Sequence, residues 1–343
     1  MASTVQSVAQ QDQAHSMQEN GKYKSSAGSM TPDRPLATTF RFLFEKNNRV
    51  PNTKLPYTTV NLAPFSTREK GIFNSTWLGH SSLMINMDGF RILLDPVFEQ
   101  KVSIVGPTRF GPLPLDPDQL GEIDLVIISH DHYDHLNKFT IKAIADKVTL
   151  FMVPLGVDRH LISWGVPKNK IISLNWWESH EPAKGFTVTA TPSQHFSGRG
   201  VFDRNKTLWA SWVVSSPSYK IFFSGDSGYF GGFSEIGSKL GPFDMAFMEC
   251  GAYDPAWHHV HMYPEETVQA FSDLGAKILH PIHWGTFNLA LHSWYDPMIR
   301  LAKAAKEAGV TIASPIQGQT IDFDSLGYPW WETPMHQTIT QKN

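Results

Sequence analysis

Six residues near the middle of this chain constrain its fold more than any other stretch. Directly after the apolar segment 125–129 comes His130-Asp131-His132-Tyr133-Asp134-His135, which sets three imidazoles and two carboxylates side by side. At a strand end such side chains repel or desolvate one another unless a cation gathers them. Imidazole nitrogen and carboxylate oxygen are the ligands that a borderline divalent ion such as Zn2+ takes. The i, i+2 spacing puts His130 and His132 on one side of an extended loop, and Asp134 and His135 can then turn toward a second ion. A lone His-x-His would read as a solvated polar loop. A cluster this dense reads as a metal loop.

The remaining chain has to supply a scaffold. Its 343 residues suffice to bury a sizeable core in one large domain. An apolar share of 41% against 18% charged residues excludes a mainly disordered, collagen-like or coiled-coil chain. The formal charge is 29 − 32 = −3, so no global attraction draws nucleic acid to it, and none is expected as a partner. One cysteine, Cys250, excludes an internal disulfide and any multi-cysteine metal site; it is expected as a small buried core residue. No apolar run approaches the roughly 18–20 residues of a membrane span, and the N-terminus has no hydrophobic signal-peptide core. The expectation is a cytoplasmic protein, at most peripheral to a membrane.

Residues 1–34 are rich in Ser, Gln, Ala and Asn, lack periodicity and read as a flexible polar tail; 35–343 read as a single folded domain. Its first part, 35–70, alternates short apolar pieces with Pro51, Pro56 and Pro64, the pattern of an extended arm. Strands are expected at 74–78, 82–87 and 90–94, with Asp88-Gly89 as a hairpin turn. More follow at 125–129, 148–153, 170–174, 186–191, 208–215, 220–224, 245–250 and 277–280. A helix over 264–274 has Pro264 in its first turn, Glu265 and Glu266 at its positive end and Gly275 as its stop. A second over 296–308 carries Ile299, Leu301, Ala304 and Ala305 and ends at Gly309. Strand-rich halves with helices outside predict a layered α/β sandwich.

Three further residues stand just after expected strands: His195 after 186–191, Asp226 in Ser224-Gly225-Asp226-Ser227-Gly228, and His283 in His280-Pro281-Ile282-His283-Trp284-Gly285. Each alone suits a surface histidine, a turn aspartate or a capping histidine. In this order they complete the sequence of a dinuclear site. The chain here resembles the metallo-β-lactamase superfamily and, more narrowly, the N-acyl-phosphatidylethanolamine-hydrolysing phospholipase D family with its bacterial relatives. The narrower likeness rests on Trp77-Leu78-Gly79-His80-Ser81-Ser82, Leu94-Asp95-Pro96-Val97-Phe98 and Gly106-Pro107-Thr108-Arg109-Phe110. It continues through residues 129–136, Gln194-His195-Phe196, Asn205-Lys206-Thr207-Leu208-Trp209, residues 223–229, Gly251-Ala252-Tyr253 and residues 282–287.

The resemblance implies an αββα sandwich, two mixed β-sheets flanked by helices, with metals at one edge; residues 35–343 would then be one hydrolase domain of that fold. It implies a first metal on His130, His132 and His195, a second on Asp134, His135 and His283, and Asp226 bridging them. The ions expected are two Zn2+, with Mn2+ or Fe2+ as alternatives. Two ions about 3.5–4 Å apart can hold a bridging hydroxide at neutral pH and polarise a phosphoryl or carbonyl oxygen. Aspartate at 226 in place of cysteine argues against the best-known antibiotic-degrading members. Asp95 is expected to support the ligand loop, and His80 stands between structural hydrogen bonding and the edge of the site. Tyr133 is expected to pack. Tyr253, Trp257, His258, His259 and His261 resemble a substrate-side loop. Within it, His261 matches the family's active-site histidine. Asp134 and His261 are the expected catalytic residues, His261 as a proton donor to the leaving oxygen or, equally, as a hydrogen-bond donor to a non-bridging phosphoryl oxygen. Trp176, Trp177, Trp284 and Trp294 are candidates for an apolar entrance, against the plainer role of core aromatics.

The expected function is dinuclear zinc-dependent cleavage of a phosphodiester, of N-acyl-phosphatidylethanolamine or a related phospholipid, by attack of the bridging hydroxide. The alternative is a lactonase or carbonyl-ester hydrolase of the sugar-phosphate lactonase type. A phospholipid or other phosphodiester as substrate partner, peripheral membrane contact and a homodimer complete the expectation.

Overall fold

A computed structural model of the chain describes residues 6–7, 16, 18–24, 40–41, 44–45, 47–104 and 106–340. Most of the 1–34 segment lies outside the described residues. Of its described pieces, β1 (Gln6–Ser7) pairs with the body, and β2 (Gln18–Glu19) and β3 (Lys22–Tyr23) form a small hairpin.

Alternating apolar residues build the first sheet. Its strands are β4 (Phe73–Gly79), β5 (Ser82–Met87), β6 (Phe90–Leu94), β7 (Ile123–Ile127), β8 (Val148–Pro154), β9 (Ile171–Leu174) and the late β17 (Thr320–Ile321). Their spatial order is β17-β4-β5-β6-β7-β8-β9, antiparallel up to β6 and parallel beyond. Leu83, Ile85, Ile92, Leu94, Leu125 and Ile127 enter the core between the sheets. Met84, Leu93 and Val126 alternate with them and pack on the other face. A strand apolar on both faces needs cover on both. That outer cover is α1 (Lys138–Ile144) and α2 (Asp158–Ser163), through Ile141, Ile144 and Leu161.

The second sheet comprises β1, β10 (Glu178–Ala183), β11 (Phe186–Thr191), β12 (Ser211–Ser215), β13 (Lys220–Phe223), β14 (Phe243–Glu249), β15 (Ala276–Ile282) and β16 (Thr311–Ile312), in that order. It is antiparallel up to β13 and parallel from β13 to β16. Its outer layer is α3 (Gly232–Leu240), α4 (Pro264–Leu274) and α5 (Asp296–Ala308), while α6 (Glu332–Thr340) closes the described chain. Phe233, Phe271, Leu274, Met298 and Leu301 are the buried faces of these helices. Both predicted helices end where glycine takes a left-handed conformation, Gly275 at φ 67° and Gly309 at φ 69°. The architecture is an α/β four-layer sandwich, αββα.

Two departures from the sequence expectation have physical causes. The helices α1, α2 and α3 are only seven, six and nine residues long, too short to display a clear apolar period. The strand expected over 208–215 begins at Ser211. Before it, the Leu208 N–H donates to the Leu155 carbonyl and the Ala210 N–H to the Ser129 carbonyl, so this backbone bonds across to the other sheet.

The topology sends many chain segments to one edge. The parallel strands β6 and β7 end there with Asp95 and the His130–His135 loop, and the β4–β5 turn brings His80 beside them. From the second sheet, β11, β13, β14 and β15 run in one direction, and His195, Asp226, the 250–263 loop and His283 follow their ends.

Candidate metal centre

The seven candidate ligands and His80 converge at this edge in two groups that share Asp226. In the first, His130 Nε2 stands 2.8 Å and His195 Nε2 3.3 Å from His132 Nδ1. Asp226 Oδ2 lies 3.8 Å from His130 Nε2 and 3.7 Å from His195 Nε2. In the second, the same oxygen lies 3.2 Å from His135 Nε2 and 3.1 Å from His283 Nε2. Asp134 Oδ2 is 3.6 Å from each of those two nitrogens. Nitrogen and oxygen ligands at 2.0–2.2 Å around a tetrahedral ion stand about 3.3–3.5 Å apart. These edges bracket that spacing. His135 Nε2, Asp226 Oδ1 and both ring nitrogens of His283 are buried without a hydrogen-bond partner, as cation ligands would be. The donor set therefore fits two divalent ions with one carboxylate between them.

The loop's supports are as specific as the loop. Asp95, fully buried at φ 38°, accepts from His135 Nδ1 at 2.7 Å, from the Ser129 N–H at 2.7 Å and from the Ser129 hydroxyl at 2.5 Å. That hydroxyl in turn sits 2.9 Å from His130 Nδ1. One carboxylate thus orients two imidazoles, the usual work of a group behind metal ligands. His80 Nε2 donates to Asp134 Oδ2 at 2.9 Å, which places His80 at the site. Asp131 takes no part: it accepts from the Gly198 N–H at 2.7 Å and the Thr207 hydroxyl at 2.8 Å, tying the metal loop to the 196–207 segment. His80, Asp95, Ala252 and His283 all hold positive φ although none is glycine, a strain concentrated at this edge. Gly225 at φ 54° lies so close to Ser129 that a Cβ there would meet Ser129 Cβ at 2.4 Å, and this approach seats Asp226.

Electrostatics sorts the imidazoles into two kinds. Burial and the neighbouring rings hold His130 and His195 well below the ordinary histidine value, so their lone pairs are free. Burial acts the same way on His135 and His283, but the carboxylates of Asp226 and Asp134 overcome it. His135 is pushed well up, and His283 to about 10. Asp134 and Asp226, despite burial, are held well below the carboxylate range by the facing histidines. A carboxylate pair kept charged inside a ring of imidazoles is a surrounding that would suit a divalent cation.

His261 belongs to the same edge. Its ring lies 5.2 Å from that of His195 and 5.1 Å from that of His283. Its Nδ1 donates to Glu249 Oε2 at 2.7 Å, and the other oxygen of Glu249 accepts the Met262 N–H at 2.8 Å. Sequence reading missed Glu249, although a carboxylate closing the apolar β14 was the available signal. A cavity of about 280 Å³ opens over the cluster, lined by His132, Asp134, Asp226, His261 and His283 and by Phe196, Arg204, Trp257 and Leu289. Of the other candidates, Trp176, Trp177, Trp284 and Trp294 are buried core aromatics; the tryptophan at the cavity is Trp257. Tyr133, expected to pack, is 41% exposed, and its hydroxyl donates to the Arg199 carbonyl. Cys250 is fully buried, and Tyr253 stacks on His292 at 4.3 Å. The His258 and His259 rings lie 3.8 Å apart, tilted by 44°, and do not line the cavity.

Comparison with known proteins places this geometry in a class. The sequence model of the Beta-lactamase superfamily domain matches residues 90–284, more than half of the chain. The chain belongs to the metallo-β-lactamase superfamily and is one of its metal-dependent hydrolases. Among its relatives, an uncharacterized protein of Mycobacterium tuberculosis is 44% identical over 75% of this chain and 71% of its own length. N-acyl-phosphatidylethanolamine-hydrolyzing phospholipase D 1 of Caenorhabditis elegans is 34% identical over 73% of both chains. Among solved structures, the isothiocyanate hydrolase from Delia radicum gut bacteria covers 74% of this chain and 99% of that one at a TM-score of 0.59. At 20% identity it shares the fold.

Proposed function

We propose that the chain is a dinuclear metal-dependent phosphodiesterase of the phospholipase D type, acting on N-acyl-phosphatidylethanolamine or a related phospholipid. The observation that carries the proposal is Asp226 Oδ2, within 3.8 Å of an imidazole nitrogen on each of His130, His135, His195 and His283. His130, His132 and His195 would hold the first ion and Asp134, His135 and His283 the second, with Asp226 shared and Zn2+ the ion its nitrogen and carboxylate donors suit. When bound, such a pair supplies hydroxide at neutral pH and polarises the phosphoryl oxygens. Supporting the lipid reading are the curated phospholipase D relative and an exposed apolar tip, Val201 and Phe202, 87% and 86% exposed on the segment that also supplies Phe196 and Arg204 to the cavity. No helix among the described residues is long and apolar enough to cross a membrane, so contact through this tip would be peripheral.

His261 is the proton donor in this reading. Glu249 holds its Nδ1–H, which leaves Nε2 for the cavity. Hydrolysis forms a bond from water oxygen to phosphorus and breaks phosphorus to the alcohol oxygen; the leaving oxygen takes the proton carried on His261 Nε2, and the proton that the attacking water gives up replaces it there. The deciding experiment sets metal-replete protein against a panel of lipid phosphodiesters, small soluble phosphodiesters and sugar-phosphate lactones. Fastest turnover is expected on detergent-presented long-chain phosphodiesters. A lactone turned over far faster than any phosphodiester overturns the proposal.

A further inference from the structure

Residues 196–206 form an internally bonded loop between His195 and β12. The Asn205 N–H donates to the Ser197 carbonyl at 3.0 Å, and the Asp203 carboxylate accepts the Arg199 and Gly200 N–H groups at 3.1 and 2.8 Å. From outside, the Tyr23 N–H donates to the Asn205 carbonyl at 2.7 Å. Two guanidinium groups leave this loop for different ends. Arg199 is spent on structure, donating to the Asp131 and Leu136 carbonyls at 2.7 Å each and lying 4.0 Å over the Tyr133 ring. Arg204 instead lines the cavity above the metal cluster. Its guanidinium carbon stands 4.5 Å over the Phe196 ring, and that ring is itself 4.5 Å from His132 and 4.7 Å from His195. One aromatic ring therefore separates Arg204 from two of the candidate ligands. Among the described residues that line the cavity, Arg204 is the one permanent cation; the two carboxylates there, Asp134 and Asp226, face the imidazoles.

We infer that Arg204 selects the substrate by charge, binding the anionic oxygen of a phosphodiester across the cavity from the metal cluster. The inference rests on the phosphodiesterase reading and adds a residue outside the metal cage to it. A guanidinium presents a planar fork of donors that matches phosphate oxygens, and the loop bonds and the Phe196 ring hold it in place before the substrate arrives. A neutral ester or lactone would cover this cation and offer no charge in return, so the same residue works against it. Burial already draws the Arg204 pKa below the ordinary guanidinium value, and a partly dehydrated cation gains more from an anion than a surface one does.

The test uses metal-replete Arg204→Ala and Arg204→Lys protein with metal content and circular dichroism matched to the parent. Calorimetric titration measures dibutyl phosphate, a monoanionic diester, against neutral tributyl phosphate. Arg204→Ala is expected to weaken dibutyl phosphate about 10–100-fold, as loss of a charge-assisted contact does, with Arg204→Lys in between and tributyl phosphate unchanged. KM for phosphodiesters should rise with the dissociation constant. Unchanged dibutyl phosphate binding, or equal weakening of both probes, overturns the inference; if phosphodiesters are still turned over, the proposed function stands without it. Loss of dibutyl phosphate binding in a protein that cleaves no phosphodiester keeps the charge selection and overturns the proposed substrate.

Discussion

At the residue scale the site hangs on single atoms. Asp226 Oδ2 is shared by both groups of imidazoles, so in the proposed dinuclear centre Asp226→Ala would leave two cations facing each other across an empty position. Elemental analysis of that variant should show less than the parent's metal, with activity lost. Full activity there, or in His132→Ala, is incompatible with the proposed centre. His261 carries a separable prediction, because its side chain is outside the seven-residue set. His261→Ala should keep the metals and the fold while lowering turnover by roughly 10²–10⁴-fold, the range for a positioned acid–base group. His258→Ala and His259→Ala should leave turnover unchanged, since neither lines the cavity. Glu249→Gln should lower kcat in the same direction as His261→Ala but less, measured with metal content held equal.

At the scale of elements, turns decide where side chains arrive. The Asp88-Gly89 hairpin turn was legible in the sequence, and both residues take the positive φ it needs, 53° and 80°. What Asp88 does there was not legible. Its carboxylate accepts from the Ser216 hydroxyl at 2.6 Å and the Ser218 N–H at 2.9 Å, joining a turn of the first sheet to one of the second. Those donors, against burial, hold its pKa below the usual aspartate value. The stabilisation is therefore present at neutral pH and lost as pH falls through the acid range below about 4. Asp88→Asn should lower the melting temperature at pH 7, and the gap from the parent should narrow as pH falls below the ordinary aspartate value; a gap independent of pH would refute the linkage. The 196–206 loop yields a second prediction at this scale. Replacing Val201 and Phe202 by Ser should reduce sedimentation with phospholipid vesicles and leave turnover of a soluble phosphodiester intact, since both are exposed at the tip.

At the scale of the whole molecule, the proposed centre would be a staple between layers. His130, His132, Asp134 and His135 follow β7 of one sheet, whereas His195, Asp226 and His283 follow β11, β13 and β15 of the other. Ions bound across that seam stabilise the native state by mass action. Chelation should lower the melting temperature by about 5–10 °C for a chain of this size, restored by adding back Zn2+. No change in scanning calorimetry after metal removal would mean that the sheets close without the ions.

The sequence by itself determined which histidines and aspartates are candidate ligands, their order along the chain and most strand positions, because a dense His/Asp loop and period-2 apolar runs are local patterns. It also marked the ends of α4 and α5, since glycine and proline act on their immediate neighbours. Only the tertiary structure decided that Glu249 holds His261 and that His80 holds Asp134, contacts made by residues 12 and 54 positions apart. It also decided that Arg199 is structural while Arg204 lines the cavity. Two arginines five residues apart on one loop look alike in sequence, and their difference lies in which carbonyls and rings the folded loop sets against each.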